Sequence, residues 1–144
     1  MQKFRYLPHT ADMRFRAYGS SFKDAMENAA LALLNIMLDI RKIGAEGKKA
    51  RAVRISERAQ SEEDLVWFTL QDILSKVDAA KLNAYQFKVK SISRKKGKVT
   101  LEGSLICSRS EEDNALLSVK AVTPHDLRIS RKAGLIAIDV VVDV

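Results

Sequence analysis

The last ten residues, Leu135–Val144, are the segment that most restricts how this chain can fold. They are rich in β-branched side chains, and only Asp139 and Asp143 interrupt their apolar character. The segment is too short for a membrane span, which needs about 18 apolar residues, and β-branched side chains favour strands over helices. We therefore predict a strand in the centre of a sheet.

The hydrophobic pattern of the remaining chain changes between two periods. A period of three to four predicts a helix of about 17 residues from Ser21 and a second helix from Ser61 to about Val77, each beginning with a serine cap. After Ile40 we expect a basic, glycine-containing loop. A period of two predicts further strands at residues 2–7, 13–18, 50–56, 85–90, 99–102, 119–122 and 127–130.

This order of elements predicts an α+β fold. Strands follow one another in succession and the helices fall early, which favours a two-layer sandwich: a mixed β-sheet of about six or seven strands with two main helices on one face. Residues 85–90 and 99–102 should form a hairpin around Arg94–Gly97. A chain of 144 residues is expected to form a single domain, 1–144.

Composition excludes several classes of protein. A single cysteine, Cys107, cannot form an intramolecular disulfide or a cysteine-based zinc finger. The hydrophobic fraction of 47% is too high for a disordered chain. P-loop, dinucleotide-binding and HExxH motifs are absent from the sequence. With no signal peptide or apolar span, we expect a soluble, cytoplasmic protein that does not contact membranes.

The formal net charge of +7 raises the possibility of a nucleic-acid partner. Two runs, Arg41–Arg58 and Arg94–Lys98, hold most of the excess, and such runs are more often solvated faces than binding surfaces. An aromatic-rich sheet signature, which readers of single-stranded RNA need, is absent from the sequence. Direct recognition of nucleic acid is therefore not the favoured interpretation.

Three aspartates occupy positions that invite a functional explanation. Asp12 enters a predicted strand after a polar connection, and Asp39 lies at the predicted C-terminal end of the first helix, where the macrodipole disfavours a carboxylate. Asp143 is next to Val144, whose α-carboxylate adds a second charge, and oxygen ligands of this kind suit Ca²⁺ or Mg²⁺. The alternatives are an aspartate that bonds its own loop backbone and a solvated chain end.

Several segments, taken together, resemble the archease family over essentially all of the chain. They begin with the stretch Leu7-Pro8-His9-Thr10-Ala11-Asp12 and end with Val140–Val144. Between these, the similar segments are Ala17-Tyr18-Gly19, Ala25-x-x-Asn28-Ala29-Ala30, Met37-Leu38-Asp39, Glu63–Phe68 and Val119–Leu127.

The resemblance implies an accessory protein and not an enzyme in its own right. Archeases activate the GTP-dependent tRNA-splicing RNA ligase by promoting its guanylylation and multiple turnover, so RNA would be contacted through the ligase. Carried over by position, the metal site comprises Asp12, Asp143 and the terminal carboxylate of Val144, with calcium or another divalent cation as the ion. Further family positions, expected to border the site or contact the ligase, are His9, Asp39, Lys120, His125 and Asp126.

Two other functions remain open from the residues alone. One is an RNA-binding or chaperone-like modulator of nucleic-acid-processing proteins, which would use the basic hairpin Arg94–Lys98. The other is a metal-dependent nucleotide-hydrolysing enzyme built on the same aspartates, although the sequence shows no phosphate-binding loop.

Overall fold

The computed structural model describes residues 2–8, 11–45 and 49–144. Within these ranges, none of the helices is both long and apolar enough to cross a membrane. The secondary-structure elements, in chain order, are β1 (Phe4–Leu7), β2 (Met13–Gly19), α1 (Phe22–Met37), α2 (Ile40–Ala45), β3 (Ala50–Ala59), α3 (Glu62–Ala80), β4 (Asn83–Lys95), β5 (Lys98–Ser108), β6 (Ala121–Lys132) and β7 (Leu135–Asp143).

The strands form two antiparallel sheets, ordered β1-β2-β7-β6 and β3-β5-β4. The predicted α+β class is confirmed, and β7 is the central strand expected from its apolar sequence. The predicted single mixed sheet is wrong: among the described residues β1, β2, β6 and β7 pair with one another, β3, β4 and β5 pair with one another, and every pairing is antiparallel. Hydrophobic alternation identifies a strand but does not identify its neighbour.

Each of the two long helices packs against both sheets. Helix α1 packs against β2 and β7 of one sheet and β4 of the other, while α3 packs against β6 and against β3 and β5. Ala25 and Leu34 are both fully buried although helical spacing places them on opposite sides of α1, as expected for a helix enclosed by other elements. The helices therefore do not form an outer layer on one face of one sheet, as the sequence pattern had suggested.

Both predicted helix caps are confirmed. The Ser21 hydroxyl accepts a hydrogen bond from the Asp24 N–H, and the Ser61 hydroxyl accepts one from the Asp64 N–H, each at 3.1 Å. These bonds satisfy amide groups that have no partner inside the first turn of a helix. Local sequence alone therefore determines where both long helices begin.

The chain after α1 differs from the prediction, because a short helix, α2, forms the first part of the expected loop; residues 46–48 of that loop lie outside the described residues. Leu38 ends α1 in an extended conformation, and the Asp39 carboxylate accepts a hydrogen bond from the Lys42 N–H (3.2 Å) at the start of α2. Asp39 does follow the C-terminal end of α1, as predicted, but its side chain caps the next helix. As an N-cap, its negative charge meets the positive end of α2.

Strand β6 is continuous where two strands, 119–122 and 127–130, were predicted. Its pairing with β7 shifts between Thr123 and Arg128, and Asp126 within this irregularity has a positive φ of 62°. Pro124 lies in the same irregularity, where its missing N–H costs no ladder hydrogen bond. The polar stretch that appeared to separate two strands is thus a β-bulge.

The predicted β4–β5 hairpin is confirmed, and its basic turn is partly engaged in packing. Gly97 adopts a positive φ of 74° in the turn, which glycine accommodates without strain. The Arg94 guanidinium is ion-paired with Glu62 and lies 5.8 Å from the centroid of the Phe22 ring. Arg94 therefore ties the hairpin to α1 and α3.

A half-buried carboxylate on β3 makes the stability of the fold sensitive to pH. The pKa of Glu57 is raised to about 7, first by burial and then by a hydrogen bond to Asp72 and the negative charge of Asp72, against the lowering effect of Lys76. The folded state therefore binds this proton more tightly than the unfolded chain does. Stability is lost as the pH rises from about 4.5 through about 7.

Substitution Glu57→Gln is expected to raise the free energy of unfolding at pH 8 by about 1 kcal/mol. This value is smaller than the full pKa shift would give, because solvent screens a half-buried carboxylate. The gain should disappear by pH 5, where the wild-type carboxyl is protonated. Urea unfolding at both pH values measures the difference, with the exposed Glu63→Gln as control. A gain of equal size at pH 5 and pH 8 would show that the titration of Glu57 is not its cause.

Candidate metal site

Asp12 and Asp143 are brought together at one end of the four-stranded sheet. Met13 pairs with Val142 in the antiparallel β2–β7 ladder, so one further step of the register places Asp12 opposite Asp143. Residues directly opposite in such a ladder share a face, with Cβ atoms roughly 5 Å apart. Both aspartates are half-buried. The strand pairing thus juxtaposes two carboxylates that are distant in sequence.

The chain around Asp143 is held in place by two contacts. The Lys120 N–H donates a hydrogen bond of 2.7 Å to the Asp143 carbonyl oxygen, which extends the β6–β7 pairing. Val144 is half-buried and packs against the hydrophobic core. The backbone at Asp143 and Val144 is therefore held in place at the end of β7.

The other predicted site residues do not join this pair directly. Asp39 uses its side chain to cap α2. His125 and Asp126 lie exposed on the β6 bulge, between the residues that pair with Val141 and with Asp139. His9 lies outside the described residues.

Sequence reasoning missed an arginine cluster on the same face of the sheet. Asp139 accepts two hydrogen bonds from Arg16, at 2.6 and 2.9 Å, and a third of 3.2 Å from Arg14. Side chains alternate along a strand, so one face of β2 carries Asp12, Arg14 and Arg16. The same face of the sheet carries Asp139, which pairs with Arg16, and Asp143 on the neighbouring strand β7. The alternation of Arg14 and Arg16, together with an acid in an apolar strand, was the available signal.

The electrostatics of this cluster favour an ionised Asp139. Burial alone would raise the pKa of Asp139, but the hydrogen bonds and charges of Arg16 and Arg14 together hold it below its usual value. The same carboxylate holds the pKa of Arg16 above its already high value, against the effect of burial. The cluster therefore fixes two guanidinium groups beside the candidate site.

The donor chemistry of the Asp12–Asp143 pair fits a hard cation. Carboxylate oxygens are the ligands that Ca²⁺ and Mg²⁺ prefer, whereas zinc sites generally use histidine and cysteine. Among the described residues, no group of three or more Asp, Glu, His or Cys side chains is arranged so that it could hold a metal ion. A cation here would therefore need oxygen ligands from a further source.

Comparison with known proteins identifies the family. Residues 4–144 match the archease protein family (MTH1598/TM1083). Archeases of Pyrococcus furiosus and Sulfurisphaera tokodaii are each 33% identical to the chain; the alignments cover 91% and 100% of this chain and 90% and 100% of the respective relatives.

Solved structures agree in fold. The solution structure of protein 1598 from Methanobacterium thermoautotrophicum superposes with a TM-score of 0.81 at 29% identity, covering all of both chains. The crystal structure of an archease from Thermotoga maritima, described as a possible chaperone, has a TM-score of 0.55 at 21% identity and covers 96% of this chain and 94% of its own; this likeness concerns the fold alone.

Proposed function

Because the chain belongs to the archease family, we propose that it is an accessory protein that activates a GTP-dependent tRNA-splicing RNA ligase by promoting its guanylylation and turnover. The β2–β7 register, which places Asp12 opposite Asp143 at one end of the sheet, is the observation that supports this proposal. In this function the chain contributes charge and position to the ligase and catalyses no reaction alone.

The proposed metal ligands are Asp12, Asp143 and the terminal carboxylate of Val144, with Ca²⁺ as the favoured ion. A cation bound there would supply positive charge that attracts phosphate oxygens. The β2–β7 pairing holds the two side-chain ligands, so the geometry does not have to be assembled when a partner arrives. The Lys120 N–H, which donates to the Asp143 carbonyl oxygen, supports the pair from the β6 side.

The position of the pair suits contact with a protein. The aspartates lie at the end of a sheet, and a groove of about 550 Å³ in the same molecule is lined by other residues. An enzyme that encloses a small substrate generally places its reactive groups within a concave pocket. A charged sheet end is better arranged to complete the active site of a partner.

We expect substitutions Asp12→Asn and Asp143→Asn each to reduce the stimulation of ligase guanylylation by at least about tenfold, since removing one of few ligands weakens a cation site severely. The measurement is the rate of covalent guanylate formation on purified ligase with labelled GTP and limiting amounts of this protein. The exposed Glu63→Gln variant should stimulate like the wild type.

Three outcomes would contradict separate parts of the proposal. An absence of stimulation by the wild-type protein would contradict ligase activation. Full stimulation by both asparagine variants would contradict the carboxylate site. Turnover of GTP by the purified protein without ligase would show that it is an enzyme, and calorimetric titration with Ca²⁺ tests the ion directly.

A further inference from the structure

A groove lies between the C-terminal ends of α1 and α3 and the segment 111–118 that connects β5 to β6. Its volume is about 550 Å³, and its lining includes Met37, Val77 and Leu82. At its rim, Leu116 and Leu117 are 62% and 43% exposed. Adjacent, strongly exposed leucines are informative because burial of a leucine side chain contributes about 2 kcal/mol.

The exposed leucines belong to a segment whose backbone is held firmly. The N–H groups of Leu116 and Leu117 donate to the carbonyl oxygens of Met37 (2.8 Å) and Ile36 (3.3 Å), which are among the last carbonyls of α1. The Asn83 side chain donates to the carbonyl oxygens of Ser110 and Glu112, at 2.9 and 3.0 Å. The fold thus fixes the segment and leaves its two leucine side chains in water.

The groove is acidic in a chain whose formal net charge is +7. Its lining contains one lysine, Lys81, and four carboxylates: Asp78, Glu111, Glu112 and Asp113. Of these, Glu112 is paired with Lys42 at 3.4 Å. The charge of the groove is therefore opposite in sign to the net charge of the whole molecule, and a negative groove favours a basic partner.

The groove adjoins the candidate metal site along the chain. Segment 111–118 leads directly to Lys120, whose N–H bonds to the Asp143 carbonyl oxygen. The Asp39 N–H also donates to Asn114 within the segment, at 2.9 Å, so the start of α2 borders the same region. A protein that covers the Asp12–Asp143 pair is therefore close enough to reach the groove.

We propose that this groove docks a basic amphipathic segment of the ligase, with apolar side chains over Leu116 and Leu117 and Lys or Arg side chains facing the carboxylates. The identity of the partner rests on the proposed function; the apolar and basic character of the segment rests on the groove itself. The groove provides affinity, whereas the Asp12–Asp143 pair provides activation.

The first experiment separates these two roles by titrating the ligase with this protein. The double variant Leu116→Ser, Leu117→Ser is expected to raise the concentration for half-maximal guanylylation at least tenfold and to leave maximal stimulation unchanged. Asp12→Asn should instead lower the maximum. Leu135→Ser is the matched control, since Leu135 is 36% exposed at the opposite end of β7. A lowered maximum with unchanged half-maximal concentration in the double leucine variant would overturn the proposal.

A second experiment does not depend on the ligase. Two labelled helical peptides with the same leucine spacing, one rich in lysine and one in glutamate, are titrated with wild-type protein, the double leucine variant and Glu111→Lys. The lysine peptide should bind the wild type at least tenfold more tightly than either groove variant, and the glutamate peptide should not bind. Equal binding of the lysine peptide to all three proteins would overturn the groove as the docking site.

Two control measurements check that the double leucine variant is folded and that the groove is not occupied by a second copy of this chain. Thermal unfolding should show the double leucine variant within a few degrees of the wild type, because both substituted side chains are exposed. Sedimentation should give the same mass for both proteins. A wild-type dimer that the two substitutions abolish would overturn the proposal, since the occupant would then be a second copy of this chain.

Discussion

Substitution Gly19→Ala is expected to lower the free energy of unfolding by about 3 kcal/mol, the upper part of the range for overpacking. A Cβ atom at Gly19 would lie 2.3 Å from the amide nitrogen of Ala25 and 2.8 Å from the carbonyl carbon of Asp24. These are backbone atoms of α1, which cannot rotate away. Relief requires moving α1 from β2, and this interface supports the core.

The matched control is Gly44→Ala in α2, where an added Cβ meets nothing within 4 Å. There we expect a gain of about 0.5 kcal/mol, because alanine loses less backbone entropy than glycine on forming a helix. Urea unfolding at one pH measures both variants. A loss below 0.5 kcal/mol for Gly19→Ala, roughly the effect of an ordinary surface substitution, would mean that the close approach relaxes at little cost.

Local sequence signals predicted the elements whose causes are local. The central position of β7 follows from its β-branched, apolar side chains, and both long helices begin at the serines expected to cap them. The Gly97 turn also follows from residue type. In each case the physical cause lies within a few neighbouring residues, so the local sequence is sufficient to predict the feature.

Features that depend on distant contacts were not predictable. The separation of strands into two sheets depends on which partners meet, and alternation carries no such information. Helix α2 is short, and the role of Asp39 as its N-cap was not predicted. The β6 bulge was divided into two strands because Pro124 and its polar neighbours resemble a turn.

The candidate site shows the same division. Family resemblance selected Asp12 and Asp143, but only the β2–β7 register, continued by one step beyond Met13 and Val142, places the two opposite each other. The groove near Leu116 and Leu117 was missed because two adjacent leucines in a polar connection produce no periodic pattern. Their exposure becomes evident only when backbone hydrogen bonds to α1 fix the segment.

Asp139→Asn is expected to reduce the free energy of unfolding at pH 7 by about 2 kcal/mol, less than for a fully buried pair because both arginines are partly exposed. The substitution removes the charge that Arg16 and Arg14 contact and leaves two guanidinium groups beside each other. Asp139 itself is only 8% exposed. Water therefore compensates little on the aspartate side.

The pH dependence identifies the ion pair as the cause. Since the arginines hold the pKa of Asp139 below 3.8, its usual value, the stabilisation is fully present above this pH and is lost as the pH falls through the folded-state pKa. The difference in unfolding free energy between wild type and Asp139→Asn should therefore shrink from pH 7 towards pH 2. Urea unfolding over this range tests it, with the exposed Asp78→Asn as control. An amide and a protonated carboxyl group have nearly the same shape, so packing should change little. A difference that stays constant with pH would therefore show that the ionisation of Asp139 is not its cause.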